Sequence, residues 1–272
     1  MKEQEIILNN IDSFEPVHIF ECGQCFRWNK DEKGVYKGVV GDFVITAENC
    51  VNGVSINCNN EAFITEYFDL KRDYGKIKDM FSQDEILSVA TKHGYGIRLL
   101  KQQPFETVIS FIISANNNIP RIKKIVEALC ENFGERICDG HFKFPTPEVL
   151  SKLTIDDLSV IKSGFRAKYI IDASKKIAFG EINLDEIYSM SSQDGRKYLK
   201  QIKGIGDKVA DCILLFAYQK FDVFPKDVWI KKILYNLYKV EAKNFDLFVK
   251  EKFGDFGGFA QQYLFYYGRE FI

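Results

Sequence analysis

Lys208 and Asp227 are the two residues whose types and spacing could do chemistry. Lys208 closes the stretch Leu199-Lys200-Gln201-Ile202-Lys203-Gly204-Ile205-Gly206-Asp207-Lys208, and Asp227 follows nineteen residues later. The stretch reads as helix, glycine hairpin, helix, with the lysine at the mouth of the second helix. Gly204 and Gly206 flank Ile205, let the backbone turn tightly and leave N–H groups free. At the positive end of a helix such groups suit a phosphate oxygen. A lysine amine, with an ordinary pKa of about 10.4, attacks carbon only when desolvation or neighbouring positive charge favours its neutral form. The start of a helix over Asp207 to Tyr218, with Lys200 and Lys203 close by, supplies such a field; Asp207 works against it. Read alone, Lys208 is a surface phosphate contact. Asp227 stands in Phe224-Pro225-Lys226-Asp227-Val228-Trp229, before the apolar-periodic run Val228 to Tyr238, and reads as a helix N-cap. A carboxylate held in that way is also preorganised to stabilise developing positive charge.

The elements that must position this pair are of two kinds. Val17-His18-Ile19-Phe20, Val35 to Val40, Phe43 to Ala47 and Val54-Ser55-Ile56 are short β-branched or aromatic runs, with Gly41-Asp42 and Asn52-Gly53 as hairpin turns. They predict an antiparallel sheet ending near Asn59. From Glu61 the pattern turns helical, with Phe63, Tyr67 and Leu70, then Ile86, Val89 and Ala90, at helical spacing. Pro104 opens an apolar helix over Phe105 to Ala115, Asn116-Asn117-Asn118 ends it, and Ile119 to Phe133 forms the next, closed by Gly134. Thr154-Ile155-Asp156-Asp157 has the pattern of an N-terminal cap. Further helices run through the hairpin to Ile272. The expected architecture is α+β: an antiparallel sheet domain with flanking helices over 1–95, then a helical domain over 96–272.

Composition narrows the function classes. The 272 residues are 46% hydrophobic and include 24 Phe, enough for a substantial core. No apolar run approaches the roughly 20 residues that span a bilayer, and Met1-Lys2-Glu3-Gln4-Glu5 lacks a signal-peptide pattern. A soluble cytoplasmic protein is expected, nucleoid-associated in a prokaryote. Net charge is −1, so distribution matters more than total. Arg196, Lys197, Lys200, Lys203 and Lys208 crowd the hairpin, and Lys162, Arg166, Lys168, Lys175 and Lys176 form a second basic stretch. Each alone reads as a solvated helix face; beside a glycine hairpin they favour phosphate contact. Seven cysteines, an odd number, argue against a disulfide framework. Cys22 and Cys25 form a C-x-x-C without a second pair at zinc spacing, and read as core or strand cysteines. His18, His93 and His141 have no metal-ligand spacing, so no metal is expected.

Five more blocks accompany the hairpin: Gly23-Gln24-Cys25-Phe26-Arg27-Trp28, Ile109 to Asn118, Gly164-Phe165-Arg166-Ala167-Lys168-Tyr169, Lys208-Val209-Ala210-Asp211-Cys212 and Gly258-Phe259-Ala260-Gln261. In this order, and over most of the chain, they resemble the helix-hairpin-helix DNA glycosylases, in particular the 8-oxoguanine DNA glycosylase family. The resemblance implies a bifunctional glycosylase and AP lyase acting on double-stranded DNA that contains 8-oxoguanine, preferably opposite cytosine. It implies Lys208 as the nucleophile at C1′ of the deoxyribose and Asp227 as its electrostatic partner. It makes Gln261 the reader of the Watson–Crick edge of a flipped base, Phe265 and Cys212 the walls of its sandwich, and Gly23 the carbonyl that meets N7–H of the lesion. It assigns Asn116, Arg121 and Arg166 to the cytosine left behind, and Phe165 to the wedge beside the gap. Animal members typically have tyrosine there, so the apolar wedge is kept and its hydroxyl lost. Lys203, Gly204 and Gly206 are the implied phosphate contacts, with Lys203 replacing the family's usual hairpin proline. Trp229 stands near the position of a phosphate-contacting histidine. Some relatives in the superfamily hold an iron–sulfur cluster on four cysteines near the C-terminus; none follows Cys212, so no cluster and no other cofactor is expected. A simple cation on the hairpin carbonyls is compatible with the pattern, and a monomer is expected. The rivals are a glycosylase of the same superfamily for another base, which usually lacks the hairpin lysine and uses water, and a non-catalytic helix-hairpin-helix DNA-binding module, which needs no base pocket.

Overall fold

Alternating apolar residues in the first sixty positions form a five-stranded antiparallel sheet. Its strands are β1 (Glu5–Asn9), β2 (Trp28–Lys30), β3 (Tyr36–Val40), β4 (Phe43–Cys50) and β5 (Gly53–Asn57), in the spatial order β1-β5-β4-β3-β2. The computed structural model describes residues 5–271; Met1-Lys2-Glu3-Gln4, read as lacking a signal-peptide pattern, and Ile272 lie outside them. Register follows the period of two: Tyr36 pairs with Ala47, Ala47 with Ile56 and Ile56 with Ile6, which sets Tyr36, Ile45, Ala47, Val54 and Ile56 on the buried face. The first turn falls where expected, at residues 41–42; the second falls at 51–52, one residue earlier than expected, because Gly53 already pairs with Cys50 and Asn9 as the first residue of β5.

Val17-His18-Ile19-Phe20, expected as a strand, is instead the short helix α1 (Pro16–Phe20). Pro16 occupies its first turn, where the missing N–H goes unneeded, and Ile19 N–H donates to Glu15 O at 3.0 Å. Four residues of apolar–polar alternation cannot outweigh that start signal.

The remaining helices are α2 (Glu61–Tyr67), α3 (Tyr74–Phe81), α4 (Glu85–His93), α5 (Pro104–Ser114), α6 (Ile119–Phe133), α7 (Pro147–Ser151), α8 (Ala167–Ala178), α9 (Ser192–Leu199), α10 (Asp207–Tyr218), α11 (Val228–Asn236), α12 (Phe245–Phe253) and α13 (Gly257–Phe271). The asparagine run divides its work. Asn117 Nδ2 donates to Ile113 O at 3.1 Å at the end of α5, and Asn118 Oδ1 accepts Arg121 N–H at 3.0 Å to open α6. Asn116, just before them, is left-handed, with φ of 51°. Thr154 and Asp157 cap one another reciprocally, over a 3-10 turn rather than an α-helix.

Two apolar cores result. One lies under the sheet, around Phe20, Trp28, Ile45, Ile56, Ile64 and Phe68. The other is helical and takes in α5, α8, α10 and α13, with Tyr74, Ile77, Phe81 and Leu87 from α3 and α4 packed into it. The segment Cys22–Cys25 runs between the cores and is pinned by buried amides. Gln24 Nε2 donates to Ile19 O (2.9 Å) and Arg98 O (2.8 Å), and its Oε1 accepts Leu100 N–H (2.9 Å). Gln262 of α13 donates to Cys22 O at 2.6 Å, across 240 positions of sequence.

Candidate active site

The glycine hairpin joins α9 to α10 and is shaped by close contact. Gly204 has φ of +90°, and a Cβ there would lie 2.6 Å from Tyr169 Cγ, so only glycine lets the turn sit on that ring. Gly206 caps α10 in an extended conformation with no side chain to accept its first N–H groups. Those donors, at the positive end of a twelve-residue helix, face outward as an anion seat. Lys203 is exposed beside them, and its own N–H is held by Asp172 Oδ2 at 2.9 Å.

Lys208 sits in the first turn of α10, half-buried, with Nζ 5.4 Å from the centroid of the Phe111 ring. The carboxylate next to it is turned elsewhere: Asp207 Oδ1 accepts from Lys200 Nζ at 2.6 Å, and that bond holds the Asp207 carboxyl below the usual carboxylate range. Cys212, one turn further along α10, is buried. Burial pushes its thiol up to about 11, against the pull of the nearby Lys208. It is therefore a neutral thiol packed beneath the amine.

Asp227 is the N-cap of α11: its Oδ1 accepts Ile230 N–H at 2.8 Å. Its neighbour Lys226 pairs with Asp246 at 2.5 Å. Lys208 and Asp227, from different helices, open onto one cleft of about 660 Å³. Gly23, Asn116 and Phe265 line the same cleft. Gly23 has φ of +80°, and a Cβ on it would meet Phe265 Cε1 at 3.0 Å and Ile119 Cδ1 at 3.4 Å. The backbone of the Gly23 segment thus lies directly against an aromatic wall, an approach open only to glycine. Gln261, one turn before Phe265 on α13, is 5% exposed, and its Oε1 has no hydrogen-bond partner among the described residues. An unpaired buried acceptor costs about 1–3 kcal/mol unless a ligand or water meets it.

The residues expected to face the opposite strand lie outside the cleft lining, apart from Asn116. Arg166 is buried and donates to Ala115 O (Nε 2.9 Å, Nη2 2.5 Å) and Asn116 O (Nη2 2.8 Å). Burial, and then the nearby Arg121, lower its pKa. Its guanidinium covers Phe165 at 4.5 Å, leaving that ring 53% exposed. Arg121 is exposed on the first turn of α6. Cys212 and Gln261 are buried and are not among the residues that line the open cleft.

The cleft also takes in Phe26, Phe111, Ile119 and Arg269, which sequence reasoning missed as site residues. Phe26 and Phe111 are single apolar letters within quoted blocks, and nothing local distinguishes a ring facing a cleft from one facing a core. Arg269 had a signal: it lies four residues after Phe265 on one helix face, and its guanidinium is 5.6 Å from that ring. Cys22 and Cys25 are buried thiols, Cys22 donating to Ile19 O at 3.1 Å, and desolvation raises the pKa of each. Among the described residues, no three His, Cys, Asp or Glu side chains gather as a metal site.

A sheet domain wrapped against a helical domain, with the hairpin delivering an amine into the cleft, defines the class as a helix-hairpin-helix DNA glycosylase fold. The family model described as 8-oxoguanine DNA glycosylase, N-terminal domain, matches residues 6–108, and that described as HhH-GPD superfamily base excision DNA repair protein matches residues 109–255. The chain belongs to the 8-oxoguanine glycosylase branch of that superfamily. It is similar to the N-glycosylase/DNA lyase of Saccharomyces cerevisiae, with 33% identity over 257 residues, covering 83% of this chain and 68% of that protein. A probable N-glycosylase/DNA lyase of Methanothermobacter thermautotrophicus is 32% identical over 232 residues, covering 74% and 72%. The fold matches the Clostridium acetobutylicum 8-oxoguanine glycosylase/lyase solved with double-stranded DNA containing cytosine opposite 8-oxoG. The TM-score is 0.93 at 43% identity, over 99% of this chain and 97% of that one.

Proposed function

We propose that this protein is a bifunctional DNA glycosylase and AP lyase that excises 8-oxoguanine, preferentially opposite cytosine, from duplex DNA in base-excision repair. One observation carries the reading. Lys208 and Asp227 open on a single cleft together with Gly23 and Phe265, residues from opposite ends of the chain.

The target nucleotide leaves the stack, because its glycosidic carbon is otherwise out of reach. The Lys208 amine attacks C1′ through its nitrogen lone pair as the C1′–N9 bond breaks, and the bonding pair leaves with the base, which takes up a proton. Asp227 stabilises the oxocarbenium-like transition state through its fixed negative charge. The nitrogen bound to C1′ loses a proton, and its lone pair expels O4′, which takes up a proton as the sugar ring opens to the Schiff base. Loss of a C2′ proton then breaks the C3′–O bond and releases the 3′ phosphate by β-elimination. The unpaired Oε1 of buried Gln261 supports its role as reader of the base edge, with Phe265 and the neutral Cys212 thiol as flat apolar walls. Gly23 O accepts from N7–H of 8-oxoguanine and repels the N7 lone pair of guanine.

Asn116, Arg121 and Arg166 serve the orphaned cytosine, with Phe165 as wedge. In this reading Arg166 also holds the end of α5 that presents Asn116. Lys203 and the N–H groups around Gly204 and Gly206 take the phosphates. The chemistry asks for no cofactor; the hairpin carbonyls are the place for a simple cation. The protein works as a monomer inside the cell where chromosomal DNA lies, which in a prokaryote is the nucleoid.

Borohydride trapping on a duplex with 8-oxoguanine opposite cytosine tests this, run beside undamaged duplex and Lys208→Gln. A lesion-dependent covalent adduct, lost in Lys208→Gln while lesion binding persists, is expected. Released base without an adduct would point to a water-using glycosylase. Bound DNA with neither adduct nor free base would point to a binding module.

A further inference from the structure

We infer that the outward face of α11 is a stacking platform for the damaged strand, centred on Trp229 and flanked by the Lys231 and Lys232 amines. This rests on the glycosylase reading and adds a binding element to it.

Ile230, Ile233 and Leu234 bury the inner face of α11. The outer face carries Val228, Trp229, Lys232 and Tyr235, a continuous stripe at one-turn spacing. Three of these are large apolar groups left open: Val228 is 69% exposed, Trp229 38% and Tyr235 62%. Lys232 Nζ lies 4.8 Å from the centroid of the Trp229 indole, so one face of that ring is already paired with a cation. Val228, Trp229 and Lys231 also line the cleft, which makes the stripe continuous with the site of chemistry. Aromatic rings interleaved with amines at the lip of the cleft that holds Lys208 and Asp227 suit a nucleic-acid strand whose bases have lost a stacking neighbour.

Flipping one nucleotide produces that situation: the adjacent nucleotide of the same strand loses its partner on one side. Trp229 follows Asp227 by two residues, so it stands beside the carboxylate that serves the flipped sugar. Of the side chains assigned to the opposite strand, Arg121, Phe165 and Arg166 lie outside the cleft lining, and only Asn116 shares it with the stripe. The platform therefore grips the damaged strand, and its contribution is independent of the opposite base.

The chain has two tryptophans, and Trp28 is 1% exposed and stacked on Phe20 at 3.9 Å. Solvent-facing indole emission thus reports Trp229. The protein is titrated with duplexes carrying an uncleavable abasic analogue opposite cytosine or adenine. Quenching of the exposed emission is expected, and no such signal in Trp229→Phe. Trp229→Ala is expected to bind about tenfold more weakly opposite either base, about 1.4 kcal/mol, with Trp229→Phe recovering much of the loss. Bound DNA with unquenched Trp229, wild-type affinity in Trp229→Ala, or a loss confined to one opposite base overturns the platform. Release of 8-oxoguanine by the wild-type protein reads the glycosylase activity separately, so either reading can fail alone.

Discussion

Asp227 caps a helix in the structure and is proposed to act electrostatically, and substitution can separate the two. Its oxygen caps α11, and its charge faces the cleft beside Lys208. Asparagine caps a helix about as well as aspartate does, so Asp227→Asn should melt within about 0.5 kcal/mol of wild type. Its single-turnover base excision should nevertheless fall by about 10²- to 10³-fold, the scale of losing one preorganised electrostatic group. Asp227→Ala should lose the same rate and, in addition, about 1 kcal/mol of stability. Equal excision by Asp227→Asn and wild type would remove the electrostatic role and leave the cap. The cap was legible in the sequence because its signal is local, whereas the proposed electrostatic role rests on the resemblance. Other residue-scale facts were not legible there. The turning of Asp207 toward Lys200, and of Arg166 toward the carbonyls of Ala115 and Asn116, depends on which backbones come together in space.

Among elements, those whose signals lie within one window were legible. The predicted helix over Ile119 to Phe133 with its closing Gly134 matches α6, because cap, proline and apolar period all sit in the segment itself. The predicted span Asp207 to Tyr218 matches α10, where the glycine start and the apolar run also lie within one window. β1 escaped notice because a five-residue edge strand is defined by its partner β5, some fifty residues away. The hairpin permits a sharper test, because its two glycines differ. Alanine at Gly204 must adopt φ near +90° and overlap the Tyr169 ring, so Gly204→Ala should cost at least about 1 kcal/mol and weaken DNA binding with a shallower salt dependence. Gly206 has φ of −97° and open space around its missing Cβ, so Gly206→Ala should leave the melting temperature nearly unchanged. Thermal melts and salt titrations of the two variants check this; equal destabilisation would mean that the Tyr169 contact does not shape the turn.

Over the whole molecule, the seven thiols report how closely the two cores pack. Cys50 and Cys138 are exposed, and the other five are buried. Burial raises the Cys22 thiol to about 12 and the Cys212 thiol to about 11, so neither forms the reactive thiolate near neutral pH. A disulfide reagent at neutral pH should therefore titrate two thiols quickly in the folded protein and the remaining five only on unfolding. A third fast thiol would mean that the packing around one of the buried five opens readily. The same packing joins the beginning of the chain to its end, for the Gly23 segment is held by Gln262 and walled by Phe265, both on α13. The hairpin, the amine and the carboxylate are synthesised before α13, but the core they share with it closes only once α13 is in place. Whatever judgement the cleft passes on a base thus arrives together with the packing that holds its chemistry.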